Sequence, residues 1–189
     1  MSYARHTHHP VVPPEPPSVW NNTLRQWYGE YSGDGKIMSD CEHECKHGGR
    51  ATKVLIVDDD DEVARTLQSM VERQGFEAVR AENGAVALQK VQAERPDVIL
   101  LDIVMPVMDG FQLLAVLRQM PEARDIPVIV LSVRSDDATV SAAWQGGATL
   151  YLPKPFSSRE LMTVLRRVIA VADDLRDNGA RQPAPTGSG

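Results

Sequence analysis

The stretch that decides the fold is residues 98–110, "VILLDIVMPVMDG". Four consecutive apolar residues, 98–101, run directly into the carboxylate of Asp102. A continuous apolar run of this length, bounded by turn residues, is typical of a strand buried on both faces, as in a parallel sheet. An acid at the end of such a strand is unexpected, because burial of a carboxylate costs free energy unless a cation or hydrogen-bond donors lie beside it.

The chain after about residue 52 alternates short apolar runs with helical patterns, which indicates parallel strands covered by helices. Five strands are predicted, at residues 53–57, 76–81, 97–101, 127–131 and 149–152. Apolar residues at helical spacing follow each strand, so five helices are expected as well. The pattern predicts an α/β fold with a doubly wound parallel sheet. In such sheets ligands bind beyond the carboxyl ends of the strands.

Polar residues follow four of the five predicted strands at that edge. They are Asp58 and Asp59 after the first strand, Asp102 after the third, Ser132 after the fourth and Lys154 shortly after the last. Capping of the next helix is the simpler interpretation for an acid such as Asp60 or Asp61. It does not explain three further acids that converge with a lysine.

Converging carboxylates repel one another unless a cation lies among them. Carboxylate oxygens suit Mg²⁺, which usually takes one or two protein carboxylates together with phosphate oxygens. With Mg²⁺ present, one carboxylate could act as a nucleophile towards phosphorus. Lys154 and the Ser132 hydroxyl would then hold the phosphoryl oxygens.

Four stretches, "KVLIVDDDDEV", "DVILLDIVMPVMDG", "PVIVLSVRSDD" and "GATLYLPKPF", resemble in order and spacing the receiver domain of bacterial two-component response regulators. The resemblance covers residues 52–172. It implies a flavodoxin-like receiver fold with strand order 2-1-3-4-5. It also implies that Asp102 is the phosphoacceptor, which takes a phosphoryl group from a histidine kinase or phosphotransfer protein.

The resemblance implies further roles, position by position. The expected Mg²⁺ ligands are Asp58, mostly through water, Asp59, Asp102 and the backbone carbonyl of Val104. Ser132 and Lys154 match the phosphate-binding positions, and Ser132 with Tyr151 matches the switch that alters the surface of the fourth helix, last strand and fifth helix. Lys154-Pro155 is expected to be a cis peptide, and Val104 and Arg134 match variable positions that tune the lifetime of the phosphorylated form.

Segments outside this region differ in composition. Residues 1–51, rich in Pro and His, are predicted to be a largely flexible arm, and residues 173–189 a disordered tail. Within the arm, Trp20, Leu24, Trp27, Tyr28 and Tyr31 have the spacing of one helical face. A short aromatic helix and an arm without stable structure both remain open.

The segment "CEHECKH" places four metal-ligand types at every second residue, namely Cys41, His43, Cys45 and His47. These side chains could bind Zn²⁺. Ligands so close in sequence are strained around one ion, however, so a flexible segment with incidental metal affinity is the alternative.

Composition narrows the class of protein further. The chain carries 20 Lys and Arg against 26 Asp and Glu, a net charge of -6, so direct nucleic-acid binding is not expected. We find no apolar run of membrane-spanning length and no signal core, which predicts a cytoplasmic protein. The expected partners are the phosphoryl donor, an unknown downstream protein and, in the phosphorylated form, a second copy of the chain. If the chain is a fragment, an output domain is missing.

Two rival functions stay open. An aspartate-nucleophile phosphatase of the haloacid dehalogenase type also uses Mg²⁺, a strand-end Asp and a Lys. It needs a second acid two residues after the nucleophile on the first strand, whereas Asp58 and Asp59 are adjacent. We therefore predict a signalling protein that is not an enzyme. The other rival is a scaffold that keeps the receiver shape without being phosphorylated.

Overall fold

The computed structural model describes residues 46–47, 50–134 and 136–180, with side chains from 51 to 134 and from 136 to 176. The predicted aromatic helix at 20–31 lies outside these residues. Of the candidate zinc ligands, Cys41, His43 and Cys45 also lie outside, and only the backbone of His47 is described. In the described part of the predicted arm, Lys46–His47 pairs antiparallel with Arg50–Ala51.

The fold is built on a five-stranded parallel sheet. Its strands are β1 (Lys53–Val57), β2 (Glu77–Ala81), β3 (Val98–Asp102), β4 (Val128–Ser132) and β5 (Leu150–Pro153). Their spatial order is β2-β1-β3-β4-β5, and every neighbouring pair is parallel. This confirms the predicted order 2-1-3-4-5. The last three strands start and end one residue later than predicted, so that Asp102 and Ser132 belong to the ladder itself.

A helix follows each strand. The helices are α1 (Asp61–Glu72), α2 (Gly84–Glu94), α3 (Gly110–Gln119), α4 (Asp137–Gln145) and α5 (Ser158–Ala180). The side chain before each of the first four accepts backbone N–H bonds from the first turn; these caps are Asp60, Asn83, Asp109 and Asp136. The capping role predicted for Asp60 is confirmed. Among the described helices, none is both long and apolar enough to span a bilayer.

The centre of the sheet is fully covered by helices. Every residue of β3 and β4 is buried, whereas the edge strand β5 is half-buried throughout. This difference follows from the sequence, because only a strand packed on both faces needs a continuous apolar run. The apolar runs of β3 and β4 therefore carry their polar end residues into a region that excludes most water.

The last helix extends beyond its predicted end. Helix α5 continues to Ala180, so the disordered tail predicted from residue 173 is wrong for residues 173–180. Within this added stretch, Arg176 Nη1 lies 3.6 Å from Oδ1 of Asp97, in the turn before β3, and 3.6 Å from Oδ1 of Asp173 one turn back. Partly exposed ion pairs contribute little individually, so the correction rests on the observed helix and shows that a polar composition does not exclude one.

Gly110 holds the β3–α3 loop against the end of β3. Its N–H donates to the Ile103 carbonyl at 2.9 Å. A Cβ atom at this position would lie 2.7 Å from Cα of Ile103 and would also overlap the Asp102 carbonyl oxygen. The loop that carries Asp102 can therefore close only if the first residue of α3 has no side chain.

We predict that Gly110→Ala destabilises the protein by about 2 kcal/mol, because the added methyl group meets rigid backbone. Gly84→Ala is the matched control, since Gly84 is likewise the first residue of its helix but faces the flexible Met108 side chain, with Cγ at 2.6 Å. We expect this control to lose less than about 1 kcal/mol. Urea unfolding measures both, and equal losses would contradict the explanation.

Candidate functional site

The ends of three neighbouring strands share one local geometry. At the ends of β1, β3 and β4, a polar side chain accepts a hydrogen bond from the backbone N–H two residues later. The three bonds are Asp60 N–H to Asp58 Oδ1 (3.0 Å), Val104 N–H to Asp102 Oδ2 (2.9 Å) and Arg134 N–H to Ser132 Oγ (3.2 Å). Such Asx and Ser turns fix the side chain through its own loop. The backbone therefore orients all three groups.

The Lys154 side chain joins two of these strand ends. Its ammonium nitrogen lies 2.9 Å from Asp58 Oδ2 and 2.9 Å from Asp102 Oδ1. The backbone N–H of Lys154 donates to the Ser132 carbonyl at 2.8 Å, which extends the pairing of β4 and β5 and places the lysine over the sheet edge. The expected cis peptide between Lys154 and Pro155 is confirmed.

This cluster is buried and carries more negative than positive charge. The Asp58 and Asp102 side chains are 4% and 10% exposed, and that of Lys154 is 18% exposed. Burial raises the pKa of the Asp102 carboxyl, and the neighbouring charge of Asp58 adds to this, against the opposing effect of Lys154. Burial also disfavours the charged lysine, but hydrogen bonds to Asp102 and Asp58 outweigh it, so the pKa of Lys154 is raised.

The donor chemistry at this edge fits a divalent cation. Two buried carboxylates, Asp58 and Asp102, already share one cation, the Lys154 ammonium, and each carboxylate oxygen keeps a lone pair for a further partner. Asp59 is exposed, and among the described residues no three His, Cys, Asp or Glu side chains form a ready-made metal cluster. Mg²⁺ needs no such cluster, because it usually keeps several waters and takes only one or two carboxylates.

Tyr151 reaches the loop that follows β4. Its hydroxyl donates to the backbone carbonyl of Arg134, the residue whose N–H holds the Ser132 hydroxyl. Burial raises the pKa of the Tyr151 hydroxyl, while its contact with Ser132 works in the opposite direction. The structure thus brings the predicted pair Ser132 and Tyr151 together through one loop, at the end of β4 adjacent to the strand of Asp102.

Sequence reasoning missed the backbone donors of the site. It named the carbonyl of Val104 as a metal ligand, whereas the contact found here is made by the Val104 N–H to Asp102. The N–H groups of Asp60 and Arg134 act in the same way. A signal was present, because an Asp or Ser at a strand end commonly accepts a bond from the residue two positions on.

Comparison with known proteins gives the family of this chain. The sequence pattern of the response regulator receiver domain matches residues 54–166, the region that contains all five strands except the first residue of β1. The chain belongs to the response regulator receiver domain family. It is thus a receiver of the kind found in two-component systems.

Several relatives are similar over the same region. The transcriptional regulatory protein PrrA of Mycobacterium tuberculosis is 41% identical over 122 residues, which cover 65% of this chain and 52% of PrrA. The chain thus spans about half the length of the curated relatives it matches.

Two solved structures are also similar. A putative response regulator from Chloroflexus aurantiacus (TM-score 0.62, 35% identity) is matched over 64% of this chain and 99% of its own. The chemotaxis protein CheY4 of Vibrio cholerae (TM-score 0.61, 33% identity) is matched over 63% and 99%.

The raised pKa of Asp102 gives a pH-dependent prediction. A carboxyl whose folded pKa lies above its unfolded value of about 3.9 favours folding when protonated, and that contribution is lost as pH rises through the folded pKa. Without Mg²⁺, Asp102→Asn should therefore be more stable than the native chain at pH 7, by an amount that shrinks towards pH 4. Urea unfolding across this range measures it.

The matched control is Asp125→Asn, because the Asp125 side chain is 87% exposed and should not affect stability. An Asp102→Asn variant no more stable than the native chain at pH 7 would contradict the prediction.

Proposed function

We propose that this chain is a phosphoacceptor, in which Asp102 takes a phosphoryl group from a histidine kinase or phosphotransfer protein in a Mg²⁺-dependent reaction. The observation that carries the proposal is the pair of buried carboxylates, Asp58 and Asp102, bridged by Lys154 with both distances at 2.9 Å. A structural ion pair would need only one acid. The second acid leaves an excess negative charge, to which a cation can bind together with a phosphoryl group.

The transfer is a displacement at phosphorus. An oxygen of the Asp102 carboxylate attacks, a P–O bond forms, and the P–N bond to the donor histidine breaks. The donor imidazole is protonated on its other ring nitrogen, so the electron pair of the broken bond stays on the ring and a neutral imidazole leaves. Lys154 is positioned to hold a transferred oxygen, since its ammonium already contacts the reacting carboxylate. The Ser132 hydroxyl can donate a hydrogen bond to another oxygen of the phosphoryl group.

The oxygen ligands for Mg²⁺ would come from four residues of this edge: Asp58, Asp59, Asp102 and the carbonyl of Val104. When bound, the ion neutralises charge on the phosphoryl oxygens during transfer. Asp58 accepts a hydrogen bond from the Asp60 N–H and Asp102 from the Val104 N–H, so the backbone already orients both carboxylates. Preorganisation of this kind reduces the cost of binding.

The signal would leave the site through the loop after β4. Phosphorylated Asp102 offers the Ser132 hydroxyl new acceptor oxygens, and a shift of Ser132 moves the backbone of Arg134, to which both Ser132 and Tyr151 are bonded. Tyr151 would follow, which changes the surface formed by α4, β5 and α5. The extent of the change is set by how differently the phosphoryl group interacts with the two states.

The changed surface would act on a protein partner or on a second copy of this chain. The name of PrrA, a transcriptional regulatory protein, suggests control of transcription as the output. A net charge of -6 disfavours contact of this chain with nucleic acid. We therefore propose that the response is passed on through protein contacts.

Incubation with acetyl phosphate and Mg²⁺ tests the acceptor. Intact-mass spectrometry should show one phosphoryl group on the native chain and none on Asp102→Asn. Asp109→Asn is the matched control, since Asp109 lies in the same loop and asparagine also caps a helix, so it should be phosphorylated normally. A native chain left unmodified by small donors and by a histidine kinase would instead favour the unphosphorylated scaffold.

Mg²⁺ binding is tested through stability. At a Mg²⁺ concentration about tenfold above Kd, the native chain should gain about 1.4 kcal/mol over the chelator-treated protein. Asp59→Asn should lose most of this gain. The neighbouring exposed Asp60→Asn should keep it, because asparagine still caps α1. Equal gains in both variants would show that Asp59 is not a ligand.

A further inference from the structure

The chain contains two Asn-Gly dipeptides in nearly the same sequence context. One lies in residues 82–85, "ENGA", and the other in residues 177–180, "DNGA". An asparagine followed by glycine is chemically labile, because glycine has no side chain to shield its backbone nitrogen from the neighbouring carboxamide. The structure gives the two dipeptides different positions, one at the start of α2 and the other in the last turn described for α5.

The reaction open to such a dipeptide is spontaneous deamidation, which needs only water. At the first site, the Gly84 nitrogen gives up its proton and bonds to Cγ of Asn83. The C–N bond of the side-chain amide breaks, and ammonia leaves with that proton. Water then opens the resulting five-membered imide at one of its two carbonyl groups. The product is aspartate, or isoaspartate, in which the main chain runs through the former side chain.

The carboxamide of Asn83 is restrained by a hydrogen bond. Its Oδ1 accepts from the Val86 N–H at 3.0 Å, which makes Asn83 the N-cap of α2. Asn83 is only partly buried, so burial alone does not keep water from it. Ring closure turns Cγ into a tetrahedral centre bonded to the Gly84 nitrogen. The carboxamide cannot turn in this way while its oxygen caps the helix, so we expect the capping bond to break first.

The attacking nitrogen is restrained as well. The Gly84 N–H donates to the Met108 carbonyl at 3.3 Å, and Gly84 itself is buried. The Met108 side chain fills the space beside it, since a Cβ atom added at position 84 would lie 2.6 Å from Met108 Cγ. The start of α2 must therefore separate from Met108 before this nitrogen can lose its proton and approach the Asn83 side chain.

We propose that Asn83 is a latent deamidation site, which the folded chain closes through the capping bond from Val86 and the contact of Gly84 with Met108. Modification takes place only when the start of α2 opens locally. An aspartate at position 83 still caps the helix and places a favourable charge at its N-terminus. An isoaspartate adds a methylene group to the main chain and removes the capping geometry, so it destabilises the closed form.

The second dipeptide is an internal control for the test. The full chain is incubated at mildly alkaline pH, folded in buffer and unfolded in guanidinium chloride. After proteolytic digestion, mass spectrometry measures the converted fractions of Asn83 and Asn178, because each conversion adds one dalton. Both sites are read in the same sample, so the ratio of their rates is independent of pH, buffer and denaturant chemistry.

We expect similar rates at the two sites in the unfolded chain, because their neighbours are nearly the same. In the folded chain Asn83 should react at least about tenfold more slowly than Asn178, the factor for a cap and a backbone hydrogen bond that must open, whereas helix ends fray.

Met108→Ala distinguishes local opening from unfolding of the whole domain. Removal of the side chain packed on Gly84 should speed conversion of Asn83 in the folded protein by at least about threefold and leave Asn178 unchanged. Met120→Ala is the matched control, since Met120 is also a partly buried methionine packed against the same core, but it is the C-cap of α3. It should change neither rate.

Equal rates of the two sites in the folded chain would overturn the inference, because the fold would then give Asn83 no protection. Slow conversion of Asn83 in guanidinium chloride would overturn it too, since the sequence alone would then limit the reaction. So would equal acceleration by the two methionine variants, which would indicate global unfolding. If circular dichroism shows that Met108→Ala does not fold, the comparison of the two sites in the native chain still decides.

Discussion

The position of one ammonium group between two buried carboxylates is the constraint on which the carboxyl edge of the sheet depends. Lys154 follows β5 at one side of the sheet, yet it contacts acids at the ends of β3 and β1. Strands are about 4.8 Å apart. The contact with Asp102 therefore crosses β4, and the contact with Asp58 crosses both β4 and β3. It is feasible because the backbone of Lys154 pairs with Ser132 and a long side chain then crosses the edge. The contact of Lys154 with the two carboxylates therefore depends on the strand order, on the path of the loop after β5 and on the length of the lysine side chain.

The charges of the cluster are unbalanced, because two buried carboxylates face one lysine. Burial raises the pKa of Asp102, so its ionised form is disfavoured there. Functional sites often keep such unfavourable charge, because a site relaxed to its lowest energy has less to gain from its ligand. The surrounding core supplies the compensation, with β3 and β4 buried along their whole length.

Much of the fold could be predicted from sequence because its signals are local. Continuous apolar runs located the central strands, and polar residues at their ends located Asp58, Asp102, Ser132 and Lys154 at one edge. Strand order was obtained only from the family resemblance, since periodicity does not say which strands are neighbours. The boundary at residue 173 was wrong because the polar composition after that point predicted a tail, whereas a polar segment can also continue a helix whose side chains lie partly in solvent.

Side-chain exposure and backbone direction were the features that sequence could not supply. Nothing in the pattern distinguished the exposed Asp59 from the buried Asp58, since both follow the same strand. The exposure of Val133 depends on the path of the loop after β4, which an apolar letter in the sequence does not reveal. The two glycines that begin α2 and α3 look alike in sequence, and only the structure shows that one faces backbone and the other a flexible side chain.

In the turns at the strand ends, the backbone orients the polar side chains, and the side chains of the turn residues form the surface around them. Residues 104 and 134 contribute their backbone N–H to Asp102 and Ser132, while their side chains extend towards solvent. Every residue type except proline supplies that N–H, so these positions can vary without displacing the side chains of Asp102 and Ser132. Under the proposed function, substitutions there would change the surroundings of the phosphoacceptor while the backbone that supports it stays the same.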